Sequence, residues 1–306
     1  MAKPDLILED LLDLIETRIN SFNERMPKVQ EDAYKVILDI AGDLETSNGR
    51  IKPTLKNVKL ISKIKAELNK VIFDKEYEKE LDKVVKTYSD ITKLQNQYFT
   101  ALTGKFTVPK VLAEIQNLAI EGVVDAMGQD AIGVNVVSPI RDILVKNVTT
   151  GGSRADFIEE VREYILDTER GDGKLVKYTK QIVTDSLNQY SANYTQIVSD
   201  DLGLEWFKYV GSNKETTRPF CKALTAAKST CMPFIHRSQL DEIVEGQICG
   251  EQVPIYDKTG LPHGMIPGTN AANFPINRGG YNCNHQLVPV SAAVVPKALR
   301  DQFKGA

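Results

Sequence analysis

The strongest constraint in this chain is the spacing of its apolar residues over the first two thirds, where they recur every three or four positions. Leu8, Leu11, Leu12, Ile15, Ile19, Phe22 and Met26 form one such stripe, the period of a helix with a single buried face. Pro27 is expected to interrupt it, because proline lacks the N–H and its ring meets the carbonyl four residues back. Tyr34, Ile37, Leu38, Ala41 and Leu44 renew the pattern up to a turn at Ser47–Gly49. Past Lys52-Pro53, Val58, Ile61, Ile64 or Lys65, Leu68 and Val71 or Ile72 share a face. Tyr77, Leu81, Val84, Tyr88, Ile91, Tyr98 and Leu102 then step by four and three, with a gap at Gln95, close to a heptad seam. Such a seam buries against another helix, in the same chain or in a neighbour.

Gly104 closes that arm, and Pro109 stands where a helix carrying Leu112, Ile115, Leu118, Ala119 and Val123 is expected to begin. Ser138-Pro139 reads as an N-cap followed by a first-turn proline, and Ser153 with Asp156 opens a helix with Phe157, Ile158, Val161 and Ile165 inward. A polar turn is expected at Arg170–Gly173, then a long helix from about Leu175 to Asp201, capped by Gly203. Beyond it the period changes. Leu204–Val210 and Leu287–Val290 are rich in aromatic and branched residues, as strands are. A long excursion rich in Pro, Gly and Asn separates them, and a loop of that length is either functional or tied down by its own contacts.

At 306 residues the chain exceeds what one hydrophobic core usually fills. Two domains are expected: a helical, partner-binding arm over 1–150 and a second module over 151–306. The expected class is α+β, a long mainly α-helical N-terminal region followed by a C-terminal module of helices and a small antiparallel sheet. The net charge of -3 argues against chain-wide attraction to nucleic acid. One basic run, Arg50, Lys52, Lys56, Lys59, Lys63, Lys65 and Lys70 against Glu67, suits a solvated helix face or contact with phosphates, and the solvated face is simpler. The N-terminus is unlike a secretion leader, and no apolar run approaches the ~18 residues of a membrane span.

All four cysteines, Cys221, Cys231, Cys249 and Cys283, lie in the last third, where reduced thiols or a metal site are expected ahead of disulfides. Cys221 and His236 stand on one side of the excursion, His263 within it, and Cys283 and His285 at its far end. Thiolate and imidazole suit zinc, which takes four such ligands tetrahedrally, and Cys221, Cys283 and His285 are the candidates. The spacing is not that of a zinc ribbon, since no CxxC pair occurs; buried thiols that merely pack are the simpler reading. A Cys/His nucleophile needs an orienting acid, and none stands near His285 in the sequence, so no catalytic residue is expected. Asp200-Asp201 and Asp241-Glu242 read as a helix end and a helix start in solvent. Arg218, ahead of Pro219 and Cys221, is placed to brace the loop by donating to backbone carbonyls or to a carboxylate such as Asp185. Gly279-Gly280 is expected to supply the positive φ angles by which the excursion re-enters the sheet. Trp206, Phe207 and Tyr209 are expected to fill the core under the first strand.

Three segments, TKQIVTDSLNQY, LEWFKYVGSNKETTRPFCKAL and GGYNCNHQLVPVS, carry a resemblance. From about Gly151 to Ser291 the chain resembles the phage Mu F-like minor head proteins, the head-morphogenesis family of tailed bacteriophages. Two positions depart from that pattern: Asp185 stands where glutamate is usual, and Asn284 replaces an arginine between Cys283 and His285. The resemblance implies a structural minor capsid protein without enzyme activity, made in the host cytoplasm and held inside the head or at the portal vertex. Its implied partners are the portal protein, other capsid or internal head proteins and, at some stage, packaged DNA with which it is sometimes ejected; no membrane and no small-molecule substrate is expected. The residues expected to knot the ends of the excursion are Asp185, Arg218, Cys221, Gly280, Cys283 and His285, by packing and hydrogen bonds first and by zinc second. The rival expectation is an effector enzyme, injected with the genome, that turns a zinc or Cys/His site on a host target.

Overall fold

The computed structural model describes residues 3–167, 172–230, 232–253, 260–262 and 264–304, with backbone alone over 227–230. The chain opens with α1 (Pro4–Asp43), the short strands β1 (Thr46–Ser47) and β2 (Arg50–Ile51), α2 (Leu55–Ile72) and α3 (Lys75–Thr103). Next come α4 (Val111–Met127), α5 (Gln129–Ile132), a π turn over Gly133–Val137, α6 (Ser138–Thr150), α7 (Arg154–Leu166) and α8 (Lys174–Asp201). The remainder holds β3 (Trp206–Val210), α9 (Pro219–Thr230), β4 (Ile235–His236), α10 (Leu240–Val244), β5 (Gln247–Ile248) and β6 (Glu251–Gln252). It closes with α11 (Phe274–Asn277), β7 (Gln286–Pro289) and α12 (Lys297–Gln302). The class is α+β, mainly helical with small antiparallel sheets. Among the described residues no helix is long and apolar enough to cross a membrane. Packing divides the chain into two compact units, one of residues 18–86 and 120–183, the other of 1–17, 87–119 and 184–306. These units cut across the expected boundary at residue 150.

In the unit of 18–86 and 120–183, α1 runs unbroken through Pro27, against the expected interruption. The proline is on the exposed side while Phe22, Met26, Val29, Ala33 and Ile37 are buried. Burial stabilises by about 1.5–3 kcal/mol per large apolar side chain, so the stripe outweighs the ~3 kcal/mol that an interior proline costs. Between β1 and β2, Asn48 and Gly49 carry φ of 48° and 75°, as a two-residue hairpin turn requires. The buried face of α2 is Asn57, Ile64, Leu68 and Ile72, and Val58 is exposed. Asn57 is inward because its amide donates to the Glu45 and Lys52 carbonyls and accepts the Glu45 N–H. Ser138 is not an N-cap: α5, the π turn and α6 are continuous, and Val137 before it is already helical. The wider π turn accommodates Pro139, whose missing N–H would break a regular ladder. Ser153 does cap α7, its Oγ accepting from the Ala155 and Asp156 N–H groups. The expected polar turn at 170–173 lies partly outside the described residues.

The other unit is built on a three-stranded antiparallel sheet in the order β4-β3-β7. Phe207 pairs with Pro289 and Val210 with Gln286 on one side of β3, and Trp206 pairs with His236 on the other. The third strand, β4, was not expected, nor were α9, α11 and the β5–β6 hairpin inside the excursion, all too short for a clear periodic signal; α10 begins where Asp241-Glu242 read as a helix start. Phe207, Tyr209, Phe220, Leu224, Ile243, Phe274 and Leu287 form one core with both Cys221 and Cys283. The α3 seam finds its partner within the chain: Gln95 Nε2 donates to Ser191 Oγ at 3.0 Å and to Thr195 Oγ1 at 3.1 Å, and Tyr98 OH donates to the Pro289 carbonyl at 2.5 Å.

Candidate functional site

Asp185, Asn188 and Ser191 recur every three residues along α8 and so share a face. That face binds the returning segment residue by residue. Asp185 Oδ1 accepts the Asn282 N–H at 2.5 Å, and the Asn188 carbonyl accepts Nη1 of the buried Arg278 at 2.8 Å. Asn188 Nδ2 donates to Asn284 Oδ1 at 3.4 Å, and Ser191 Oγ donates to Gln286 Oε1 at 3.0 Å. Asn284 thus contributes an acceptor. Asn188 and Ser191 escaped the sequence reading because polar residues at this spacing look like a solvent face; both are buried.

Arg218, one residue before α9, donates Nη1 to the Gly279 carbonyl at 2.9 Å and Nη2 to the Tyr281 carbonyl at 2.6 Å. Of the two partners expected for it, the guanidinium takes the carbonyls, while Asp185 holds the neighbouring Asn282 N–H. Gly280 has φ of 93°, the left-handed angle expected of it. Gly279 is needed for space instead: a Cβ there would overlap Cys221 Sγ and lie 3.2 Å from Cys283 Sγ.

The first turn of α9 and the returning segment bring Cys221 and Cys283 together, both buried free thiols, with the sulfurs 3.9 Å apart. His285 Nδ1 lies 3.9 Å from Cys283 Sγ, and among the described residues these three side chains form a group whose donor atoms lie within 4.8 Å of one another. The Tyr209 hydroxyl stands 3.4 Å from Cys221 Sγ and 3.9 Å from Cys283 Sγ. Its ring stacks on His285 with centroids 5.4 Å apart and planes 5° from parallel. Burial, with the two sulfurs adding, pushes the Tyr209 hydroxyl well above its ordinary pKa, so the phenol is a neutral donor. The thiols are split: the hydrogen bond from Cys221, aided by His285 and the Arg278 charge against the effect of burial, holds Cys283 well below an ordinary thiol. The same bond and burial push Cys221 up. A cavity of about 80 Å³ opens beside them, lined by Arg218, Thr217, Cys221, Cys283 and His285.

Not every expected member joins the group. His236 is on β4, opposite Trp206 and roughly 13 Å along the strand from Val210, where it stacks on Phe303. His263 and Cys231 lie outside the described residues. Cys249, at an exposed turn, is disulfide-bonded, so the expectation of reduced thiols holds for Cys221 and Cys283 but not for Cys249. Asn213, Thr225 and the Tyr209 hydroxyl belong to the site and carried no sequence signal, because what recruits them is the close approach of β3, the loop after it and α9 to His285 and the sulfurs. No protein-family model, no curated protein and no solved structure matches the chain.

Proposed function

We propose that the chain is a structural minor head protein of a tailed bacteriophage, associated with the portal and acting in head assembly by being held, without turnover. One observation supports this reading above the others: the three segments that carry the resemblance meet at one place. Asp185 from the first, Arg218 from the second and the 279–282 backbone from the third are joined by direct hydrogen bonds. A knot of that kind ties the two ends of the excursion together, the preorganisation that a surface gripped by other proteins needs. Arg218 has both Nη atoms engaged by carbonyls, a bracing role. Lys56, Lys59 and Lys63 on the exposed side of α2 are the place for any contact with packaged DNA.

The test is location. Intact particles carrying the chain, analysed by crosslinking and mass spectrometry, are expected to show it at few copies per head with crosslinks to the portal ring. A chain absent from purified particles, and not retained by the portal in pull-down, removes the reading.

A further inference from the structure

The sulfurs and the imidazole of the knot carry an inference that does not depend on a role in a virion. We propose that Cys221, Cys283 and His285 bind one thiophilic divalent cation, zinc by the chemistry of the donors, with a fourth position on the cavity beside Arg218. Tetrahedral zinc, with bonds of about 2.3 Å to sulfur and about 2.0–2.1 Å to nitrogen, sets two sulfurs ~3.8 Å apart and sulfur from nitrogen by ~3.5 Å. Here the two sulfurs are 3.9 Å apart and Cys283 Sγ is 3.9 Å from His285 Nδ1. Cys283 Sγ is thus close to coordination spacing from both other donors, and with all three inside 4.8 Å the shell closes by an approach of Cys221 and His285, carried on the first turn of α9 and on the segment leading into β7.

A hydrogen-bond relay sets the imidazole in the tautomer that coordination needs. Thr225 Oγ1 donates to the Cys221 carbonyl at 2.7 Å, which leaves its oxygen to accept from Asn213 Nδ2 at 2.8 Å. Asn213 consequently turns Oδ1 toward His285 and accepts its Nε2–H at 3.3 Å. With Nε2 directed at that acceptor, Nδ1 is the nitrogen left to coordinate, 3.9 Å from Cys283 Sγ. A histidine held by an acceptor on its far nitrogen is the usual outer shell of a metal ligand. Two thiolates cancel the charge of a divalent cation, so the buried centre is neutral, and both sulfurs bind as thiolates. The Tyr209 hydroxyl supplies a hydrogen bond to sulfur from the closed side. On the open side the cavity of about 80 Å³ admits water, whose share of liquid volume is ~30 Å³. Soft sulfur donors with one imidazole select zinc over magnesium or calcium.

The full-length chain, purified under reductant, is expected to carry one zinc per chain by elemental analysis. After chelation it should take up one cobalt(II), with the thiolate charge-transfer and tetrahedral d–d absorption of a two-sulfur site. Asn213→Ala, which leaves all three ligands in place, should weaken zinc by about 10–100-fold. Cys221→Ser and His285→Ala should each weaken it further, and His236→Gln should leave it unchanged. If the ligand variants fail to fold, the wild type and Asn213→Ala still decide. The proposal is overturned by a folded, reduced wild type that takes up neither metal stoichiometrically, by stoichiometric zinc that persists in the Cys221→Ser/His285→Ala double variant, or by a Cys221–Cys283 disulfide in the metal-free purified protein.

Discussion

Arg218 holds two carbonyls of the returning segment with one planar fork, a geometry that lysine lacks. Charge-assisted bonds contribute roughly 1.5–3 kcal/mol each when shielded; because the Tyr281 bond is exposed, Arg218→Ala is expected to lower stability by about 2 kcal/mol. Arg218→Lys should recover less than half of that, since one ammonium cannot span both acceptors. Urea unfolding of the full chain measures both, and a change within about 0.5 kcal/mol for the alanine variant, the ordinary surface value, would show that the clasp is ornamental. At Gly279 the loss has another origin. A methyl group there meets Cys221 Sγ, so Gly279→Ala should destabilise by about 1–3 kcal/mol through overpacking, seen in the same unfolding curves. Arg218 was legible because an arginine ahead of a proline after a strand has few other uses. The hydrogen-bond chain from Cys221 through Thr225 and Asn213 to His285 was not, because its members lie far apart in sequence and nothing local links them.

Among the helices, the residue that broke the α3 seam turns out to set its register. Gln95 is buried and reaches the Ser191 carbonyl and hydroxyl together with the Thr195 hydroxyl. Gln95→Ala leaves those groups short of a partner, and an unsatisfied buried polar group costs about 1–3 kcal/mol; thermal unfolding should show a loss of that size. Pro27 predicts the opposite sign. It is exposed within α1, so Pro27→Ala restores an N–H without losing buried area and should raise stability by about 1 kcal/mol or more, again by urea unfolding. Ahead of α3, Asp74 accepts the Tyr77 N–H at 2.7 Å and pairs with Arg25 at 2.6 Å. Burial works against its charge, but the Tyr77 N–H and the Arg25 guanidinium prevail and hold the carboxyl below its usual range. Its folded pKa being depressed, the stabilisation is present above the unfolded value of about 4 and is lost as pH falls through the lower folded value. Wild type should therefore lose stability below about pH 4 more steeply than Asp74→Asn, as denaturant midpoints against pH will show.

For the whole molecule, packing cuts across the boundary at residue 150, with residues 87–119 grouped with 184–306. A fragment of residues 151–306 lacks the Gln95 and Tyr98 bonds to α8 and β7. It is expected to unfold without cooperativity and to have a weakened near-ultraviolet dichroism, while the full chain unfolds cooperatively; a fragment as cooperative as the full chain would mean that the α3 seam is dispensable. From sequence alone followed most of the helical stripes, the positions of β3 and β7, the Gly280 turn and some of the knot's side chains, Arg218 among them but not Asn188 or Ser191, because periodicity and turn chemistry act between near neighbours. Tertiary structure decided the rest: that α1 passes through Pro27, that the α3 seam is satisfied inside the chain, that His236 stays apart, and that Cys221, Cys283 and His285 share one pocket. Each of those outcomes turns on burial and close approach between distant residues, energies that no local window of the sequence contains.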